Sequence, residues 1–177
     1  MTKVLNLYGA PGAGKSTAAA YIFSHLKMLG YNCEYVTEYV KDKVYEQAVE
    51  VFKNQAYIFG KQYFRMTRLM GKVDLIITDS PLLLSKLYNK NEELGEKFED
   101  LVSHVAGQQN SMNFLLKRVH RFQTTGRIHN EEAANEIEKG LEKFLSMNDV
   151  DFHVMDGDIS SYSVILDSVT NWLVDGS

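Results

Sequence analysis

Residues 9–16 read GAPGAGKS, and this stretch constrains the fold more than any other part of the chain. A structural turn needs one or two glycines, but here three glycines and a proline are followed at once by a lysine and a hydroxyl. The spacing of Gly9, Gly14, Lys15 and Ser16 fits the phosphate-binding pattern G-x-x-x-x-G-K-[ST]. Backbone N–H groups of such a loop converge on an anion together with the positive end of the following helix. The sequence therefore predicts a strand before residue 9 and a helix from residue 16.

The rest of the chain alternates between short apolar runs and longer segments with helical periodicity. Strands are predicted at 3–8, 33–38, 73–80, 111–118 and 151–157. Helices are predicted at 16–30, 42–71 with a break near Asn54, 91–109, 133–148 and 160–174. This alternation predicts an α/β fold in which a five-stranded parallel sheet has helices on both faces. We find no linker or repeat, so residues 1–177 are expected to form a single domain.

Composition narrows the classes of partner and the compartment. The formal net charge of -4 argues against whole-surface attraction to nucleic acid or anionic lipid. Cys33 is the single cysteine, so an intramolecular disulfide is impossible and a reducing compartment is expected. We see no secretory leader and no apolar run of membrane-spanning length. A cytoplasmic protein without a membrane partner is therefore expected, in the host cytoplasm if a phage encodes it.

Ligands of parallel sheets bind at the carboxyl ends of the strands, and polar residues follow the predicted strands there. Glu38 ends strand two, Asp79 ends strand three and Arg118 ends strand four. Lys15 is expected to reach the β- and γ-phosphates, and the Ser16 hydroxyl and Asp79 to hold Mg²⁺. The predicted nucleotide-binding residues of the loop are Gly9, Gly12, Ala13, Gly14, Lys15, Ser16 and Thr17.

The residues at the end of strand three help to distinguish an enzyme that transfers the phosphoryl group to an acceptor from one that hydrolyses ATP with water. An ATPase motor of the AAA type usually ends this strand in Asp-Glu, whereas Asp79 is followed here by Ser80 and Pro81. NKNE at 89–92 resembles the guanine-reading motif of GTPases only superficially, because it follows no strand. Transfer to an acceptor hydroxyl is therefore favoured over activation of water.

Four stretches together resemble the small P-loop nucleoside and nucleotide kinases, most of all the nicotinamide riboside kinase type and its phage relatives. They are GAPGAGKST at 9–17, VTEYVKD at 36–42, LIITDSPLL at 75–83 and RVHRFQTTGR at 118–127. The resemblance implies a P-loop kinase three-layer sandwich that uses ATP and Mg²⁺. Deoxynucleoside kinases usually have Glu-Arg-Ser after strand three and thymidylate kinases Asp-Arg-Tyr. Asp79-Ser80-Pro81 differs from both, which leaves the acceptor open.

On the acceptor side, the resemblance implies that Glu38 contacts the acceptor hydroxyl and can act as a base. Asp79 can bind the metal or orient the acceptor, so the choice of base between Glu38 and Asp79 stays open. On the helix after residue 50, Gln55, Phe59 and Gln62 fall on one side, where two amides could read a base stacked on the ring. A boundary helix that packs on the sheet explains the same pattern.

Basic residues suggest two further features. Lys61, Arg65, Arg68 and Lys72 form a basic stripe on the same helix, either a solvated face or a phosphate track. Residues 118–132 are polar, and we expect a lid there. Arg118 would bind the nucleotide, and Arg121 and Arg127 would neutralise charge on the transferring phosphoryl group.

These observations predict an ATP- and Mg²⁺-dependent kinase that moves the γ-phosphate to a hydroxyl or phosphate of a nucleoside or nucleotide. A phage-type polynucleotide kinase acting on a modified base in DNA is one alternative. A P-loop ATPase or nucleotide-binding regulator without an acceptor is the other. The expected partner is thus a small nucleoside or nucleotide, with DNA less favoured and a homodimer left open.

Overall fold

A computed structural model describes residues 1–90, 93–119 and 131–175 of the chain. Five strands form one sheet, and every neighbouring pair runs parallel, in the order β2-β3-β1-β4-β5. The strands are β1 (Lys3–Tyr8), β2 (Cys33–Val36), β3 (Leu75–Thr78), β4 (Ser111–Lys117) and β5 (His153–Asp156). The predicted fold class, a five-stranded parallel sheet of the P-loop kinase type, is confirmed.

Helices cover both faces of this sheet. They are α1 (Lys15–Met28), α2 (Tyr39–Tyr45), α3 (Gln55–Thr67), α4 (Leu84–Leu87), α5 (Gly95–Gly107), α6 (Glu131–Met147) and α7 (Ile159–Asp175). A 3₁₀ helix at Val49–Lys53 joins α2 to α3. None of the helices in the described ranges combines the length and the apolar character that a membrane crossing requires.

Alternating residues of the strands build two cores, one on each face of the sheet. Leu5 and Ile77 pack beneath α1 and α7, where Ile22 and Ile165 are fully buried. On the other face, residues of β1 and β3 pack against α3, α5 and α6. Strands that are buried on both sides read as nearly continuous apolar runs, and this is how β1 and β3 appear in the sequence.

The connection between β2 and β3 differs from the prediction of one interrupted helix over 42–71. The structure has α2, the 3₁₀ helix and α3, and the Asn54 side chain caps α3 by accepting a hydrogen bond from the Tyr57 N–H at 2.9 Å. Polar side chains of this kind favour helix starts, which explains the break that was expected near Asn54. Helix α4 was missed, since four residues are too few to show a periodicity.

Strands β2 and β3 each end two residues earlier than predicted, and this places the polar residues that follow them. Pairing of β2 with β3 stops at Val36 and Thr78. Glu38 and Asp79 therefore lie just beyond the paired ends of neighbouring strands. Strand β3 also pairs with β1, so Asp79 lies one strand away from the start of the glycine loop.

Candidate functional site

The glycine loop joins β1 to α1 through backbone conformations that favour glycine. Gly9, Gly12 and Gly14 have φ angles of 149°, 91° and 86°. A β-carbon at Gly9 would lie 2.7 Å from the Leu116 carbonyl oxygen on β4, so the loop also starts against another backbone. The glycines are thus required by conformation and by close approach, as the phosphate-binding interpretation demands.

Lys15 lies across this loop. Its Nζ donates to the carbonyl oxygens of Gly9 at 2.7 Å and Ala10 at 3.2 Å. Ser16 and Thr17 are exposed in the first turn of α1, which contains no acidic residue. The loop therefore combines a helix N-terminus, an ammonium group and two accessible hydroxyls, all of which favour an anionic ligand.

The corner between β5 and α7 packs against the glycine loop. The Gly157 N–H donates to the Lys117 carbonyl oxygen at 2.8 Å, and a β-carbon at Gly157 would lie 2.2 Å from the Ala13 oxygen. The Tyr162 hydroxyl lies 2.9 Å from the Gly157 oxygen and 3.4 Å from the Gly14 oxygen. Tyr162 was missed in the sequence, because its partner Gly14 is 148 residues away and no local pattern marks the contact.

Asp79 follows β3, the strand that pairs with β1 on the side away from β4. Its residue is 6% exposed, and its Oδ2 accepts a hydrogen bond from the Tyr35 hydroxyl at 2.8 Å. Its buried Oδ1 has no hydrogen-bond partner within the described ranges. Buried polar atoms are rarely left without a partner, so this oxygen is suited to a ligand that the protein itself does not supply. Carboxylate and hydroxyl oxygens are ligands that Mg²⁺ prefers, and Asp79 with Ser16 fits that donor set.

Glu38 occupies the N-cap position of α2, where its side chain makes no capping hydrogen bond. The pKa of Tyr35 is raised by burial first, next by the charge of Asp79 and its hydrogen bond, and then by the charge of Glu38. Burial and then the charge of Glu38 also raise the pKa of Tyr88. Glu38 and Asp79 at the ends of β2 and β3 thus interact electrostatically with the two tyrosines Tyr35 and Tyr88.

The three predicted base-reading residues of α3 are all buried. Gln62 accepts a hydrogen bond from the Tyr39 N–H at 3.0 Å and donates to the Thr37 oxygen at 3.4 Å, so its amide fixes the segment that carries Glu38. The Phe59 ring stacks on Tyr63 at a centroid distance of 5.8 Å. A substrate-reading role for Gln55, Phe59 and Gln62 stays a prediction.

The predicted basic stripe does not lie on a single helix, since α3 ends at Thr67, Arg68 is its C-cap and Lys72 lies beyond it. Arg65 forms an ion pair with Asp42 at 2.7 Å and donates to the Thr37 oxygen at 3.2 Å. The Arg68 Nε donates to the Arg65 carbonyl oxygen at 3.3 Å. The ion pair of Arg65 with Asp42 reduces the positive charge that these residues offer to a polyanion.

The arginines that follow β4 are only partly described. The Arg118 N–H donates to the Glu138 carboxylate at 2.8 Å, and the guanidinium contacts Asn135 and Glu138 on α6. These contacts tie the end of β4 to α6. Arg121, Arg127 and most of the predicted lid lie outside the described residues.

Solved structures with similar folds include three P-loop proteins. NadR in complex with NR superposes with a TM-score of 0.72 at 17% identity, covering 97% of this chain and 50% of that chain. Thymidylate kinase from Ehrlichia chaffeensis gives a TM-score of 0.64 at 13% identity, covering 96% and 98%. Deoxyadenosine kinase from M. mycoides with bound dATP gives 0.60 at 22% identity, covering 94% and 98%. These likenesses confirm the fold of P-loop nucleoside and nucleotide kinases.

Sequence relatives point to a broader group of P-loop proteins. RecA of Campylobacter jejuni is 24% identical over 131 residues, which cover 70% of this chain and 38% of RecA. RecA of Campylobacter fetus is 25% identical over 131 residues, covering 70% and 37%. The chain thus spans less than two fifths of the length of these curated relatives. A family model described as AAA domain matches residues 4–161, from β1 into α7. Since this match includes most of the chain, the protein belongs to the AAA domain family.

Proposed function

We propose that the protein is an ATP- and Mg²⁺-dependent phosphotransferase that moves the γ-phosphate to a hydroxyl or phosphate of a nucleoside or nucleotide. The observation that carries the proposal is the buried Asp79 carboxylate one strand from the phosphate loop, with one oxygen held by Tyr35 and the other without a partner in the described ranges. Phosphoryl transfer depends mainly on positioning and electrostatics, and this arrangement offers both.

Each part of the site has a role in this proposal. The loop from Gly9 to Gly14 and the Lys15 ammonium bind the phosphates of ATP, and the Ser16 hydroxyl and Asp79 hold Mg²⁺. Bound Mg²⁺ supplies positive charge that neutralises the β- and γ-phosphate oxygens. Either Glu38 or Asp79 orients the acceptor hydroxyl and accepts its proton.

The arginines after β4 complete the proposed site. We expect Arg121 and Arg127 to stabilise charge that develops mainly in the transition state. Arg121→Ala and Arg127→Ala should therefore lower kcat more than they weaken ATP binding. Steady-state kinetics and equilibrium binding of an ATP analogue measure the two effects separately. A normal kcat with lower ATP affinity would show that these arginines only hold the ground state.

ATP hydrolysis without an acceptor is the second candidate, and the AAA domain match and the similarity to RecA favour it. Against it, Asp79 is followed by Ser80 and Pro81, with no second acid next to it. Product analysis with γ-labelled ATP separates the candidates when nucleosides, nucleotides and DNA are each supplied as acceptor. Label on an acceptor together with acceptor-dependent ADP supports the kinase. Free phosphate at the same rate with and without every acceptor supports the ATPase.

Lys15→Ala serves as the control in this screen, because transfer that depends on the phosphate loop should fall in it by at least about 100-fold. Label on a nucleoside or nucleotide supports a small acceptor. Label that appears only on DNA supports the polynucleotide kinase instead.

A further inference from the structure

Tyr35 is a polar residue that links β2 to the site at the end of β3. It is opposite Ile77 in the register of the sheet, and its ring packs near Phe23 of α1 at a centroid distance of 6.5 Å. Ile77 belongs to the core beneath α1, so Tyr35 lies on the α1 face of the sheet. From there its hydroxyl reaches forward to the Asp79 carboxylate, beyond the last paired residue of β3.

This hydrogen bond makes the two oxygens of Asp79 different. Oδ2 is bound by the Tyr35 hydroxyl at 2.8 Å, whereas Oδ1 is buried and has no hydrogen-bond partner in the described part of the chain. A carboxylate without such a contact could rotate about its Cβ–Cγ bond and exchange its oxygens, because that torsion is broad. The Tyr35 hydroxyl is the donor in this contact, because an ionised carboxylate can only accept hydrogen bonds.

We propose that Tyr35 is the positioning residue that holds the Asp79 carboxylate in one orientation, so that Oδ1 is presented to the metal ion of a bound nucleotide. The inference rests on the proposed function only in its choice of ligand. Residues behind a metal ligand orient it in this way, and their loss typically weakens metal binding or activity by about 10- to 100-fold. Tyr35 does not itself contact the reacting atoms in this account.

Metal binding to the nucleotide complex is the direct test. Mn²⁺ is titrated into the full chain with a non-hydrolysable ATP analogue and followed by electron paramagnetic resonance. Tyr35→Phe should weaken Mn²⁺ binding by roughly 10-fold and leave binding of the metal-free analogue unchanged. Tyr21→Phe is the matched control, since it also loses one hydroxyl on the α1 side of the sheet, one that lies 3.2 Å from the Ser163 hydroxyl and away from Asp79. It should bind Mn²⁺ as the original chain does.

A double-mutant cycle separates positioning from a general effect on the fold. If Tyr35 acts through Asp79, Tyr35→Phe should change Mn²⁺ affinity hardly at all once Asp79→Asn is present. Equal losses with and without Asp79→Asn would overturn the inference, and so would unchanged Mn²⁺ affinity in Tyr35→Phe. Thermal unfolding of each variant shows that the titrations are made on folded protein.

The two proposals fail in different ways. These titrations need no acceptor, so an absence of phosphoryl transfer to every acceptor would remove the proposed kinase and leave the role of Tyr35 intact. Normal transfer and normal Mn²⁺ affinity in Tyr35→Phe would remove the role of Tyr35 and leave the kinase intact.

Discussion

Lys15 is the residue on which the phosphate-loop interpretation depends most directly. Its ammonium lies against the carbonyl oxygens of Gly9 and Ala10 and outside both hydrophobic cores. A phosphate group bound by the loop would offer this ammonium charged oxygens in place of neutral carbonyls, which makes a stronger hydrogen bond. Lys15 is therefore a group for ligand binding, and its removal should affect function far more than folding.

Lys15→Ala should lower acceptor-dependent transfer by at least about 100-fold, because the lost charge stabilises the transferring phosphoryl group. The midpoint of thermal unfolding should change little. Lys27→Ala, at the far end of the same helix, removes an equal charge from a half-exposed site and should leave transfer unchanged. Unchanged turnover in Lys15→Ala would contradict the phosphate-loop interpretation.

Residues of the site differ in how well the sequence reveals them. Gly9, Gly14 and Lys15 belong to one local pattern, and both glycines have positive φ angles. Asp79 could be found because it ends an apolar strand. Tyr35 could not, since its hydrogen bond to Asp79 joins positions 44 residues apart and exists only through the pairing of β2 with β3.

Among the structural elements, the corner between β5 and α7 supports the phosphate loop most closely. Gly157 approaches the Ala13 backbone so closely that a methyl group has no room. Gly157→Ala should therefore destabilise the protein by about 1–3 kcal/mol and weaken ATP binding, since the loop must shift. Urea denaturation and nucleotide titration measure the two effects.

Gly140→Ala is the matched control for that substitution. Gly140 is exposed in α6, and a β-carbon there would meet no atom within 4 Å. Replacing glycine by alanine within a helix stabilises by about 0.5–1 kcal/mol. A gain in Gly140→Ala with a loss in Gly157→Ala is the expected outcome. Equal stability of the two variants would contradict the tight packing at the corner.

The basic residues Lys61, Arg65, Arg68 and Lys72 allow a test of whether the acceptor is small or a polynucleotide. A polynucleotide that follows the basic stripe would release counterions, so its binding would weaken steeply with salt. We expect a weak salt dependence of the acceptor KM and little effect of Arg68→Ala or Lys72→Ala, because Arg65 is already paired with Asp42. A steep slope that flattens when Arg65 and Arg68 are neutralised would favour DNA as the acceptor.

The sequence predicted which helices and strands exist better than it predicted where they begin and end. Strand β1 was placed at residues 3–8, where the structure has it, because a buried run meets a glycine there. Residues 42–71 were predicted as one interrupted helix, whereas the chain forms three separate helical segments. The difference depends on the Asn54 cap and on the packing of α2. Hydrophobic periodicity carries no information about either feature.

For the whole molecule, one sheet shared by two cores predicts a single cooperative unit over residues 1–177. Unfolding followed by Trp172 fluorescence and by far-ultraviolet circular dichroism should therefore give one coincident transition. A nucleotide present at 100 times its Kd should stabilise the folded state by about 2.7 kcal/mol. Two separate transitions would show that the two faces of the sheet unfold independently.

The alternation of strands and helices was enough to predict a parallel sheet with helices on both faces. It did not predict the order β2-β3-β1-β4-β5, because the order depends on which strand edges pair and no local pattern encodes that choice. This order is what places Asp79 one strand from the glycine loop, whereas the sequence alone predicted only that both lie at the carboxyl ends of strands.

The contacts that Gly157 and Tyr162 make with the glycine loop also determine when this loop gains its support during synthesis on the ribosome. The glycine loop is synthesised well before the backbone that packs against it, because the partners Gly14 and Tyr162 are 148 positions apart. Chains emerge from the amino terminus at roughly 5–20 residues per second. A growing chain therefore carries the glycine loop without its supporting contacts until Gly157 and Tyr162 have been synthesised.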